Sequence, residues 1–594
     1  MLPSVMTAQT ERPTPGVQGK EREMHRTPRN GGLRAAFTAM VASLVLAACG
    51  GGDKAALQAL PVASSGQVAP PAPTPKVSFY AASRFAEQVS FGATPALVAE
   101  LQAKGFERWL DEQFALPARP LDMKPSEALY QLRLDDPVPR GLRQMHLRQA
   151  TGEMLTAPDP LRWRVMWSLS QFIVISTAFG DPPGWVHWIN LLYGHAFGNY
   201  GQLLHDVSTD RMMGVYLNND QNRPKSAECP HCAPNENYAR ELMQLFSLGV
   251  IRLNLDGTPQ RDARGQLMET YTQRDVEELA RVLTGWVADP NPPNRPPRNW
   301  ANWGRPMVPS TWPPERDAGA KRVLGRDFAA GQPADKDLRD AVDLLMSHPN
   351  AAPFVSLRLI QHLVKSDPSP AYLGRVAAVF RNNGRGMAGD MKAVLKAVLL
   401  DPEARRGDDP ARAAASDGKV REPFLHTLAT WRGLGCTALP APPEFGLDLS
   451  FSPVQYPLFP ASVFSFYAPT DRAPGSNLLA PEQKLLRADD LAFRMRITES
   501  LREFPGGVRD VRWIEDAGCR LDDLRQAYAA GPAAYAEFLS TRYFRGAMPA
   551  PLREHLARLM TQRVDPVVAP GDPNDGALRL LSLALVSPYF GVMK

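Results

Sequence analysis

Cysteine is scarce in this 594-residue chain, with five in all, and histidine is hardly commoner, at ten. The pair in Cys229-Pro230-His231-Cys232 is followed by Ala233, where c-type haem attachment would need histidine. Charge of one sign is also missing: 67 Lys and Arg face 62 Asp and Glu. Residues 1–48 hold six of those bases and three of the acids, so the remainder is closer still to balance. That leaves no electrostatic footprint for nucleic acid. Long apolar runs are lacking too. The clearest, Ala35 to Ala48, falls short of the roughly 20 residues that span a bilayer, and nothing later in the chain competes with it. Proline is the opposite case, at 57 residues, nearly twice the usual ~5%. So much proline excludes long uninterrupted bundles and favours many short helices joined by loops.

The short apolar run has a recognisable setting. Arg26, Arg29 and Arg34 precede it, and it stops at Leu46-Ala47-Ala48-Cys49. A positive n-region, a short apolar h-region and small residues before a cut make a secretory signal peptide over residues 1–48, and Cys49 then resembles the lipidated first residue of a bacterial lipoprotein. Met24 would give a more compact leader and is an alternative start. Gly50 after the cysteine favours the outer membrane, by similarity to the sorting rule of enteric bacteria. Residues 49–76 are rich in Gly, Ala and Pro and read as a flexible tether. The lipid would be the protein's only attachment to the membrane. In an exported protein the four remaining cysteines can oxidise, and Cys229 with Cys232 reads as a local disulfide. A zinc or copper site using His231 lacks a second ligand cluster, and thioredoxin-like exchange lacks a strand-then-helix setting. No metal and no cofactor is called for.

From residue 77 to 594 the pattern is that of one large, mainly α domain. Helices are expected over 81–91, 95–104 and 106–114, then over a long apolar stretch, 161–176, which is apolar all round and so central. Further helices are expected over 185–197, 200–206, 335–347, 352–364, 371–382 and 390–400. Ile251, Leu253 and Leu255 alternate before Asp256-Gly257, a hairpin signal, so one small β-hairpin is expected between the helices. Residues 288–314 hold nine prolines and read as a long irregular loop. A second Pro/aromatic stretch runs from Pro440 to Pro481.

Two segments stand out. In the first, Asn235 to Gly249 reads Asn-Glu-Asn-Tyr-Ala-Arg-Glu-Leu-Met-Gln-Leu-Phe-Ser-Leu-Gly. Asn235 is placed to cap a helix whose apolar face carries Tyr238, Leu242, Leu245 and Phe246. Glu236 precedes Arg240 by four, the better order for an ion pair, and Gly249 with Val250 suits a Schellman-type stop. In the second, Thr272 and Asp275 form a capping box for a helix that ends before Gly285-Trp286. Capping and packing account for every one of these positions. The functional reading is that Glu236, Arg240, Glu241 and Asp275 converge as catalytic carboxylates and cation, with His195, Asn199, Asn235, Asn237 and Trp286 as binding residues. His187 and His195 are eight apart, not the i, i+4 of a helical zinc pair, and His205-Asp206 stands nearby. Asn218 to Asn222 is oxygen-rich but lacks the acidic alternation and glycine of a calcium loop.

Several blocks carry a family resemblance in order along the chain. They are Arg84-Phe85 with Phe91-Gly92; Arg162 with Leu169-Ser170-Gln171-Phe172; His195 to Asn199; Asn235 to Gly249; Asp256-Gly-Thr-Pro259; Thr284-Gly-Trp286; Lys321 with Leu324-Gly325; Pro460 to Phe464; and Ser587-Pro588. Over residues 80–594 the chain resembles the bacterial "domain of unknown function 1800" family. Arg316-Asp317 departs from the His-Asp common in that family, which puts in doubt any role of the missing histidine. The resemblance implies an exported protein. It also implies a partner, because such genes often lie beside one for a secreted protein of the "domain of unknown function 1501" family. Two functions remain open: a binding or assembly partner of that secreted protein in an envelope or extracellular-polymer system, or an envelope hydrolase using the motif carboxylates and arginine.

Overall fold

A helix fully shut inside the protein, Pro160–Ser170, has all of its residues buried and packs against helices Phe79–Val89, Met145–Thr156, Pro182–His195 and Ala351–Leu363. In the computed structural model, residues 77–131, 144–290, 303–440, 450–499, 512–562 and 573–594 are described, all of them within the compact unit Val62–Lys594. The leader, Cys49, the tether and the centre of the proline-rich 288–314 loop lie outside the described residues. The architecture is mainly α, with three small two-stranded antiparallel sheets. Among the described residues no helix is long and apolar enough to cross a membrane.

Most helices fall close to their expected places: Phe79–Val89, Pro95–Lys104, Phe106–Ala115, Pro182–His195, Tyr200–Thr209, Ala334–Ser347, Ala351–Leu363, Pro370–Arg381 and Met391–Leu400. Proline opens several of them at the first turn, where its missing N–H costs no hydrogen bond. Three expectations need correcting. The central helix stops at Ser170, not Ser176, because Ile173, Val174 and Ile175 follow; two of the three are isoleucine and the other is valine, and β-branching favours extended backbone. Thr177 N–H then bonds the carbonyl of Leu458 and ties that extended segment to the second aromatic stretch. The expected hairpin does turn at Asp256-Gly257, with Gly257 at φ 79°, yet it is held by isolated bridges, Leu253 to Pro259 and Ile251 to Glu269. The paired strands lie elsewhere: Trp286–Val287 with Val308–Pro309, Lys321–Val323 with Arg326–Phe328, and Lys419–Val420 with Val592–Met593. The 288–314 segment is therefore not wholly irregular, since it supplies one of those strands.

Polar groups fill part of the interior. Lys419 is buried and its ammonium meets Glu422 at 2.9 Å and Glu482 at 3.2 Å, while also donating to the carbonyls of Gln361 and His362. Gln455 and Ser366 donate to the second oxygens of those two glutamates. Such a cluster survives burial only because each charge is paired and hydrogen-bonded.

Two disulfides are present. Cys229–Cys232 closes a separation of three residues and Cys436–Cys519 one of 83. Loop-closure entropy gives the first about 2 kcal/mol and the second about 4.5 kcal/mol. The sequence expectation named the first pair and, while allowing that Cys436 and Cys519 can oxidise, assigned them no partner. The second pair joins the end of helix Pro423–Gly433 to the turn after Arg512–Glu515, a meeting that only tertiary packing creates.

Candidate functional site

The Asn235 to Gly249 segment forms a short helix, Asn237–Gln244, with Tyr238, Ala239, Leu242 and Met243 buried. Glu236, not Asn235, occupies the cap position and offers it no side-chain bond. Asn235 works one step earlier: its Oδ1 accepts from Asn237 N–H at 3.0 Å, and its own N–H is held by Asn222 Oδ1. Asn237 donates to Asn218. The chain after the helix keeps turning until Gly249, at φ 72°, where a Cβ would stand 2.7 Å from the Phe354 ring. Val250 is exposed and does not seal the stop as expected. A left-handed residue pressed against an aromatic ring admits only glycine.

The four expected catalytic residues are engaged in different ways. Glu236 and Arg240 pair at 2.8 Å, and Gln273 from the companion helix closes a triangle, accepting from Arg240 at 3.0 Å and donating to Glu236 at 2.9 Å. Asp275 completes the capping box of helix Gln273–Val282 and takes Leu324 N–H at 2.7 Å. Burial alone would raise its carboxyl, but the Thr272 hydroxyl and these backbone donors hold it below the usual range. Glu241 differs from the other three. Its Oε2 is buried without a hydrogen-bond partner, and burial, opposed by Arg240, pushes the carboxyl up to about 7.

A cleft is formed by residues outside the two motif helices. It measures about 650 Å³ and includes His187, His205, Asp206, Asp210, Trp286 and Arg339 in its lining. None of the four motif residues lines it. Helix Pro182–His195 supplies His187, helix Tyr200–Thr209 supplies His205 and Asp206, and the strand pair at Trp286 forms a further wall, fastened where Met307 N–H bonds Thr209 O. A more open concavity of about 710 Å³ runs along helix Phe106–Ala115. Its Lys104, Arg108 and Glu112 are spent on one another, so it offers little free chemistry.

Two of the aspartates that line the cleft, Asp206 and Asp210, hold imidazole. His187 Nδ1 donates to Asp210 Oδ2 at 2.8 Å, and Asp210 Oδ1 caps the next helix by accepting from Met213 N–H. Burial would lower the His187 pKa, but the Asp210 carboxylate outweighs it and raises the value. Asp206 is held from three sides, by His195 Nε2 at 2.8 Å, His205 Nδ1 at 2.9 Å and Gln202 Nε2 at 2.8 Å. Burial alone would raise its carboxyl; the bonds from His195 and His205 keep it well below the usual range instead. In His187 and His205 the committed nitrogen is Nδ1, which leaves Nε2 for a bound molecule. Among the described residues no group of three or more His, Cys, Asp and Glu is set to hold a metal ion.

The expected binding residues divide accordingly. Trp286 lines the cleft, and its indole N–H is buried without a partner. His195 supports Asp206 from behind. Asn199 caps helix Tyr200–Thr209 and donates to Ala388 O. Sequence reasoning noted His187 and His205-Asp206 without giving them a role, and missed Asp210 and Arg339. His205-Asp206 was adjacent and visible, but His187 and Asp210 are 23 residues apart on different helices, so no local spacing joins them.

A family model described as "Protein of unknown function (DUF1800)" matches residues 84–592. The chain belongs to this family. No curated protein and no solved structure matches it. Several of the blocks that carry the likeness now have a physical task. Arg84 is buried and donates to the carbonyls of Ala404 and Lys594 and to Asp408. Lys321 pairs with Asp337 in the interior at 3.0 Å. Arg316 donates to the carbonyls of Val282 and Thr284 at the end of the second motif helix and to Asp337. In this DUF1800 chain that position staples a helix end and does not enter the cleft.

Proposed function

We propose that the protein is an exported, lipid-anchored envelope protein whose His–Asp cleft catalyses hydrolysis by general acid–base chemistry. The observation that carries the catalytic part is the presence of two aspartate-held imidazoles on one cleft. An aspartate bound to one ring nitrogen fixes the tautomer and leaves the other to move a proton, the division of labour used in hydrolytic triads. His187, whose proton Asp210 retains, serves as the acid toward the leaving group, and His205 as the base toward water. Proton transfer of this kind contributes about 10²-fold or more. Arg339 holds a negatively charged part of the substrate, and Trp286 forms part of the cleft wall.

The anchoring part rests on Leu46-Ala47-Ala48-Cys49, with residues 49–76 as the tether. Replacing Cys49 with Ser abolishes incorporation of a labelled fatty acid, and retention of the label would overturn the anchor. For catalysis, the full chain is tested against chromogenic esters, phosphates and glycosides, alongside His187→Asn and His205→Asn. Turnover of one class falls at least about 100-fold in each variant while the melting temperature stays put. Absence of turnover across the panel, or turnover that survives both substitutions, refutes the reading.

A second reading has its own observation. The Glu236–Arg240–Gln273 triangle is partly exposed and internally satisfied, which suits a rigid docking face better than a reactive one. Its partner is a secreted protein of the "domain of unknown function 1501" family, and co-purification of the two that is lost in Arg240→Ala tests it.

A further inference from the structure

The two disulfides sit in opposite environments. Cys436 and Cys519 are 3% and 8% exposed and fasten elements far apart in the chain. Cys229 and Cys232 are only half-buried, and Glu228, Pro230, His231 and Ala233 around them are exposed. Their ring holds four residues, Cys229-Pro230-His231-Cys232, and its local bonds are few: Cys229 N–H to Ser226 Oγ, Ser226 N–H to Cys229 O and Cys232 N–H to Cys229 O.

What holds this loop in place lies below the ring. Asn222, 4% exposed, accepts Asn235 N–H at 2.7 Å through Oδ1 and Gly285 N–H at 2.8 Å through its carbonyl. Gln221 N–H bonds Trp286 O at 2.8 Å. The base of the loop is thus closed by hydrogen bonds to the motif segment and the cleft wall, independently of the disulfide at its tip. The loop base therefore keeps its hydrogen bonds whether or not the S–S bond is closed, and the ring itself stands at the half-exposed tip. A cross-link that constrains so short a ring contributes less than half of what the Cys436–Cys519 bridge does. Accessibility and a Cys-X-X-Cys spacing are the features of exchanging, not structural, disulfides.

We infer that Cys229–Cys232 is a thiol–disulfide exchange site that oxidises dithiols while Cys436–Cys519 stays locked. A substrate thiolate attacks one of the two sulfurs, forming a mixed disulfide and expelling the other cysteine as a thiolate. The second substrate thiol, once deprotonated, attacks the mixed disulfide. The substrate leaves oxidised, and Cys229 and Cys232 are left as thiols, having received its two electrons. This activity is separate from the hydrolytic reading, and its failure would leave that reading untouched.

The test uses the folded full chain. It is exposed to dithiothreitol for a graded series of times, quenched with iodoacetamide and mapped by mass spectrometry. Cys229 and Cys232 become alkylated at least ten-fold faster than Cys436 and Cys519, and the Cys229→Ala/Cys232→Ala double variant melts within about 2 °C of the parent. A reduced dithiol peptide supplied at stoichiometric amount is converted to its disulfide by the parent and not by the double variant. Equal alkylation rates for the two pairs, a large fall in melting temperature, or a peptide that stays reduced would each overturn the inference.

Discussion

Replacing Glu241 with Gln isolates the one motif carboxylate that the fold leaves unsatisfied. Its Oε2 is closed off from solvent and accepts no hydrogen bond, and burial, against the pull of Arg240, lifts the carboxyl from an ordinary 4.5 to about 7. Its charge is felt nearby, since after burial itself it is what raises the Tyr216 phenol. In the unfolded chain Glu241 ionises at its ordinary value. Between about pH 4.5 and 7 the folded state therefore keeps a proton that the unfolded state has lost, and stability falls as pH rises through that window. At about 1.4 kcal/mol per unit the full shift would be worth about 3.5 kcal/mol. The side chain is only partly buried, and solvent screening reduces this to about 1–2 kcal/mol. Glutamine has the same shape and no charge to bury. Urea unfolding of parent and E241Q should coincide near pH 4.5, with the variant ahead by about 1–2 kcal/mol at pH 8. Curves that stay parallel across that range, or a parent that is the more stable at pH 8, would refute the reasoning.

Three other outcomes follow from the same structure. Lys419→Met leaves Glu422 and Glu482 facing each other in the interior without their shared cation and lowers unfolding stability by about 3–5 kcal/mol, read by urea denaturation. Asp275→Ala removes both the capping box and the bond to Leu324 N–H, a loss of about 1–2 kcal/mol, with no effect on cleft chemistry if the residue is purely structural. Asp210→Asn removes the group that raises the His187 pKa, so the His187 ring, followed by NMR, titrates at lower pH than in the parent. A raised pKa also means that stability from this pair is complete at acid pH and is lost as pH climbs through the folded-state value; the variant should show a flatter profile there.

Helix positions were largely legible because buried faces repeat at helical spacing and because Pro, Ser, Thr and Asp mark helix starts. Phe106–Ala115, Ala334–Ser347 and Met391–Leu400 fall close to where the pattern places them. The Thr272/Asp275 capping box was readable as well, since both partners sit within four residues. The end of Pro160–Ser170 was misjudged because hydrophobicity hid the β-branched run that stops it. The cleft was hardly legible at all. His187 and Asp210, or Trp286 and His205, meet only when separate helices and a strand pair come together.

What the sequence determined by itself is local: a mainly α fold, the Thr272/Asp275 capping box, the glycine at Gly249, the family and the four-residue disulfide ring. Each depends on residues a few positions apart, where backbone geometry alone sets who can touch whom. Tertiary structure decided the rest. It spent Glu236, Arg240 and Asp275 on neighbours, left Glu241 alone, paired Cys436 with Cys519, and set two aspartates against three histidines beside one cleft. Those outcomes depend on which surfaces are driven together when apolar area is buried, and that is a property of the whole chain, not of any segment of it.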